Sequence, residues 1–147
     1  MGMFSVLDIS AAGMEVQQAR LEAAASNLAN SRTTRKQDGT VYKPLEVIVR
    51  SSQSDPNTVD PLAPITADEL PRPVVAGVVE SNAAQRLVYE PGHPEADARG
   101  FVAYPASDPI SMMLDLMNIS RTYEANLRAF DVTRSLLQRT IEIGGRR

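Results

Sequence analysis

The sequence predicts a mainly α-helical chain with a small β-rich middle, and three observations carry that prediction. Apolar residues recur every seven positions at both ends, all ten prolines lie between Pro44 and Pro109, and the strand-forming runs lie inside that proline-bearing stretch. An interior proline costs a helix about 3 kcal/mol, so the first 43 and last 38 residues, which have none, are free to be helical. A length of 147 residues fits one domain, or one small domain with helical appendages. The expected division is a helix within 1–30, a β-rich middle over 31–108 and a second helix within 109–147.

At the N-terminus, Leu7, Met14, Leu21 and Leu28 are spaced by seven, and Ala11, Gln18 and Ala25 follow four residues after the first three. This is an a/d stripe with small residues at d, in a segment rich in Ala, Leu, Glu and Gln. A helix from Phe4 to Asn30 would be about 40 Å long, with Asn30 suited to a left-handed terminating position.

The C-terminal segment repeats the pattern. Leu116, Tyr123, Phe130 and Leu137 form one series, and Met113, Ser120, Leu127, Arg134 and Ile141 form its expected neighbour, interrupted by Arg134. Asp108 and Pro109 offer an N-cap and a first-turn proline, and Gly144-Gly145 closes a helix of about 50 Å. Residues 1–30 carry a net charge of −2 and residues 109–147 a net charge of +2, which favours a meeting of the two. Two helices in contact cover one stripe each, yet Val6, Ile9, Ile119, Leu136 and Ile143 lie off those stripes. A small middle cannot shield the rest, so other chains are expected to cover it.

In the middle, Val41–Arg50, Val74–Glu80, Leu87–Glu90 and Phe101–Tyr104 have strand composition. The five prolines between Ser51 and Pro73 read as an extended loop, and Glu90–Pro94 as a turn.

Composition excludes several function classes. No cysteine is present, so disulfides, thiolate catalysis and cysteine metal sites are out. A net charge of −3 gives no basis for binding nucleic acid. No apolar run approaches the ~20 residues that span a bilayer, and Met1–Ser10 lacks the features of a cleaved secretory signal. His93, the only histidine, sits between two turn prolines and reads as a plain loop residue. Glu95 and Asp97 lack calcium-loop spacing, as does Asp68-Glu69. The glycines form neither phosphate-binding pattern. Arg32, Arg35 and Lys36 follow a helix end, where positive charge opposes the negative end of the dipole. Neither a catalytic, nor a metal, nor a cofactor site is expected.

Two motifs carry a resemblance. Ala25-Ser26-Asn27-Leu28-Ala29-Asn30 and Ser120-Arg121-Thr122-Tyr123-Glu124-Ala125-Asn126 resemble the N- and C-terminal signatures of the axial proteins of the bacterial flagellum. Arg32-Thr33-Thr34-Arg35, Asp38-Gly39, Tyr42-Lys43, Tyr89–Asp97 and Gly100-Phe101-Val102 narrow the resemblance to proximal rod proteins of the basal body. The resemblance implies that the terminal helices form an antiparallel coiled coil with the β-rich part facing outward. It implies packing with copies of the chain and with other rod proteins around a channel, with Asn27, Asn30 and Asn126 joining the stripes in the assembly interface. It further implies export by the flagellar type III apparatus without a cleaved signal, terminal segments disordered before assembly, and a periplasmic place between the membrane-ring base and the distal rod. The alternatives are another axial subunit, or a small ligand-binding or enzymatic module on coiled-coil arms.

Overall fold

The computed structural model describes residues 2–37, 39–52, 70–106 and 108–145. Helix α1 (Gly2–Ala29) is followed by strands β1 (Leu45–Ser52), β2 (Arg72–Glu80), β3 (Arg86–Tyr89) and β4 (Phe101–Tyr104), then by helix α2 (Pro109–Gly144). The chain is thus mostly helical, with a helix at each terminus and a small strand region of two two-stranded sheets between them.

The two helices lie side by side and run antiparallel. Gly13 faces Asn126, Leu21 borders a shallow groove with Ile119 and Tyr123, and Ala24 and Asn27 face Met112 and Asp115. Asp108 caps α2 as its sequence indicates: its backbone is extended (φ −82°, ψ 135°) and its carboxylate accepts the Ile110 N–H at 3.1 Å, with Pro109 opening the first turn. At the other end, Gly145 has right-handed geometry (φ −82°) and donates to the Ile141 carbonyl at 2.8 Å.

The end of α1 departs from expectation. No described non-glycine residue has a positive φ, so Asn30 does not adopt the left-handed terminating conformation. Side chains close the helix instead. The Asn30 amide donates to the Ser26 carbonyl at 2.9 Å and the Ser31 hydroxyl donates to the Leu28 carbonyl at 2.7 Å. Terminal carbonyls satisfied in this way need no left-handed turn.

Strands β1 and β2 pair antiparallel, from Leu45 opposite Glu80 to Ser52 opposite Arg72, with a register shift between Ile48 and Val49. Leu45, Val47 and Val49 are half-buried while Glu46, Ile48 and Arg50 are exposed, an alternation that sets one face of the sheet against α1. The first strand starts later than its composition suggests. Tyr42 and Pro44 are buried outside the ladder, where Tyr42 bonds to α1 through Asn27 and the Pro44 carbonyl accepts from the Ser81 N–H. The second starts earlier, because its proline, Pro73, sits in an edge strand opposite Ser51. Most of the expected proline-rich loop, residues 53–69, lies outside the described residues.

Strands β3 and β4 form a separate hairpin beside the start of α2, where Arg86 approaches Asp108 at 3.8 Å. The turn between them is held by its own polar groups. Asp97 accepts from the N–H groups of Arg99 (2.8 Å) and Phe101 (2.9 Å), and Gly100 takes φ +82° with Tyr89 so close that a Cβ would stand 2.8 Å from its ring.

Candidate assembly interface

The buried stripe of α1 is displaced from the expected one. Ser5, Val16 and Ala23 are buried and Ile9, Ala12, Ala19 and Ser26 half-buried, alternating by four and three residues along the side that meets α2 and the sheet. On the expected stripe, Leu7, Met14 and Leu28 are half-buried, whereas Ala11, Gln18, Leu21 (41% exposed) and Ala25 are exposed. The reason is size. Five of the seven inward residues, Ser5, Ala12, Ala19, Ala23 and Ser26, are small, which lets α1 approach its neighbours closely, and the larger Leu7, Met14, Leu21 and Leu28 lie along the border as an apolar ridge.

On α2, Leu116, Phe130 and Leu137 are half-buried on the side facing α1, with Tyr123 at its border, 39% exposed. Their neighbouring series is not Met113, Ser120, Leu127, Arg134 and Ile141, which are exposed. It lies one residue earlier, at Met112, Ile119, Asn126 and Thr133. Asn126 and Thr133 are polar, so hydropathy alone points away from them. The signal was Gly13, whose missing side chain makes room for the Asn126 amide: a Cβ there would sit 2.9 Å from its Nδ2.

Asn27 and Asn30 turn out to bind the chain to itself. Asn27 Oδ1 accepts from the Leu45 N–H at 2.7 Å and from the Tyr42 hydroxyl at 3.0 Å, while its Nδ2 donates to the Leu45 carbonyl at 2.9 Å. The side chain thereby takes the place of a backbone partner for the first residue of β1. Ser26 adds a hydroxyl contact to Tyr42 at 3.2 Å, and Asn30 accepts from Thr33 Oγ1 at 3.3 Å.

The basic residues after α1 likewise reach the middle of the chain rather than the helix end. Lys36 pairs with Glu80 at 3.0 Å and lies 5.4 Å from the Tyr42 ring centre, and Arg35 approaches Glu95 at 3.8 Å. His93 accepts the Glu95 N–H on Nδ1 at 3.1 Å, a turn-forming contact. The two N–H groups on Asp97 hold its carboxyl below the usual range, first through Phe101 and then Arg99. The Tyr104 hydroxyl donates to Glu90 at 3.0 Å, which pushes its pKa up. Among the described residues no group of three or more acids and histidines is placed to hold a metal ion, and no described helix is long and apolar enough to cross a membrane.

What the molecule does present is apolar surface on its helices. Ile110 (70% exposed), Met113, Leu114 and Met117 crowd the first three turns of α2, and Val132, Leu136, Ile141 and Ile143 continue it toward the C-terminus. Among the described residues the buried apolar core is small: Val16, Ala23, Tyr42, Val102 and Met112. Exposed apolar surface of this extent makes the helix faces candidates for a contact between chains.

The chain has relatives along its whole length. The chain is 38% identical over 144 residues to the flagellar basal-body rod protein FlgC of Aquifex aeolicus, covering 97% of both. It is 34% identical to that of Bacillus subtilis and 33% identical to that of Salmonella typhimurium, covering 98% of this chain and 99% of each relative. The chain belongs to the FlgC family of flagellar basal-body rod proteins. No family model matches it. For a FlgC-family chain, the Asn27 and Asn126 motifs acquire physical content: the first ties α1 to β1, and the second lets the two helices close on Gly13.

Proposed function

We propose that the chain is a non-catalytic structural subunit of the proximal rod of the flagellar basal body. The observation that carries this reading is the likeness to flagellar basal-body rod proteins from one end of the chain to the other. The helix pair forms an antiparallel coiled coil, and residues 1–30 and 109–147 build the rod core while 31–108 faces outward. The outer ridge Leu7, Ala11, Met14, Leu21 and Ala25, with Leu28 at its end, meets neighbouring subunits, as do Met113, Leu127 and Ile141 on α2. Leu116, Tyr123, Phe130 and Leu137 hold the pair together.

The partners are copies of the chain and other rod proteins, stacked on the membrane-ring base in the periplasm after passage through the type III export apparatus without a cleaved signal. The exposed apolar helix faces support this reading, since a heterologous contact repeated by a screw operation gives an open tube. Purified basal bodies test it. The chain is expected as an integral component, with rod growth stopping at the base in a strain lacking it. Its absence from purified basal bodies, or normal rods without it, would overturn the reading.

A further inference from the structure

Two charged rows of matched pitch lie on opposite sides of the helix pair. On α1, Asp8, Glu15 and Glu22 recur every seven residues, each one place after Leu7, Met14 and Leu21, so carboxylates border the outward apolar ridge. Asp8 is engaged within the chain, 3.9 Å from Arg72. Glu15 and Glu22 are exposed and make no ion pair among the described residues.

On α2, away from α1, Arg121 and Arg128 are also seven apart and exposed. Arg128 has one ion pair among the described residues, a 3.8 Å contact to Glu124 on its own helix with the Arg128 side chain 82% exposed. Seven residues of helix rise about 10.5 Å, so the two carboxylates match the two guanidiniums in spacing.

We infer that the acid-bordered ridge of α1 docks on the outer, arginine-bearing face of α2 in a second copy of the chain, with Glu22 opposite Arg121 and Glu15 opposite Arg128. This rests on the rod reading above. The direction of the pairing follows from symmetry. Rotation about an axis parallel to the helices keeps their direction, and α1 and α2 are antiparallel within one chain. A neighbour's α2 therefore runs antiparallel to this α1, so the acid nearer the C-terminus meets the arginine nearer the N-terminus.

The same register sets Leu7 beside Leu136 and Ala11 beside Val132, apolar side on apolar side, with Leu136 50% and Val132 60% exposed. Both halves of the complementary pair belong to this sequence, with a net −2 on residues 1–30 and +2 on 109–147, which favours a copy of the chain over an unrelated partner. Because the two faces differ, a pair of copies keeps one of each free, and the array extends.

The chain's lack of cysteine makes a direct test available. Gln18 and Ala125, both exposed, fall opposite one another in this register. The full chain carrying Gln18→Cys and Ala125→Cys is expected to form an oxidised ladder of dimers and higher species in purified basal bodies, and neither single substitution to do so. A double-cysteine chain that is incorporated but yields no ladder overturns the docking and leaves the rod reading standing. Loss of the unmodified chain from basal bodies overturns the rod reading instead.

A charge exchange decides the case if the cysteines themselves block incorporation. Glu15→Arg with Glu22→Arg should lower incorporation about tenfold, and adding Arg121→Glu with Arg128→Glu should restore at least half of it. A fourfold variant that is helical by circular dichroism yet no better incorporated than the double variant overturns the pairing, as does recovery from the arginine changes in another rod protein alone.

Discussion

Replacing Asn27 with alanine removes three hydrogen bonds at once: from the Leu45 N–H, from the Tyr42 hydroxyl and to the Leu45 carbonyl. All three are part-buried, so the groups left behind recover only some of their partners from water. At about 0.5–1.5 kcal/mol each, the loss is about 2–4 kcal/mol, a large share of a stability of 5–15 kcal/mol typical of a domain. For a chain of this size it should lower Tm by roughly 10 °C. Asn27→Asp keeps the acceptor but loses the donor to the Leu45 carbonyl and sets a charge against it, so its cost should be of the same order. Tyr42→Phe removes one bond and should cost about 1 kcal/mol. Urea unfolding of the purified chain, with hydrogen exchange at the Leu45 amide, reads these changes. If Asn27→Ala costs less than about 0.5 kcal/mol and the Leu45 amide keeps its protection, the account of this motif as an internal anchor is wrong.

Four other outcomes follow from the geometry. Ala25→Trp places a large ring on the exposed ridge of α1, so the isolated chain should keep its stability within about 0.5 kcal/mol while rod assembly and motility are lost; a motile strain would count against the ridge as a contact. Gly13→Leu forces the Asn126 amide aside and should cost about 1–3 kcal/mol by overpacking between the helices, read by thermal unfolding. Gly100→Ala puts a Cβ at φ +82° against Tyr89 and should destabilise the hairpin by about 1 kcal/mol or more, seen as faster amide exchange in β3 and β4. Because the folded pKa of Asp97 is depressed, its contribution is present above the ordinary carboxylate value of 3.8 and is lost as pH falls through the lower folded value; amide exchange of Phe101 followed through acid should quicken only in that window, and Asp97→Asn should remove the dependence.

Much of the architecture was legible because it rests on strong local signals. The prolines marked off the helices, Asp108-Pro109 located the start of α2, and the Leu116 series found the side of α2 that meets α1. The inner side of α1 was hidden for a physical reason. Ser5, Ala12, Ala19, Ala23 and Ser26 are chosen for closeness of approach, and small or hydroxyl-bearing side chains give little hydropathy contrast. The larger apolar residues that do give contrast lie along the outer border. The same blindness shifted the second series on α2 by one position, since Asn126 and Thr133 face inward as polar residues. Asn27 was recognised in a motif, but its partners, Tyr42 and Leu45, lie 15 and 18 residues further on, and no local pattern links them.

Helix α1 contacts both α2 and the β1–β2 sheet, whose backbones do not pack on each other. Through the described contacts, a sideways force on that sheet reaches α2 by way of α1, so the load path has a single beam. Its stiffness depends on the Asn27 fastening at one end and on the 3.9 Å Asp8–Arg72 contact near the other. Loosening either fastening leaves more of that load to the packed face of the sheet, and the mechanical compliance of the whole subunit rises.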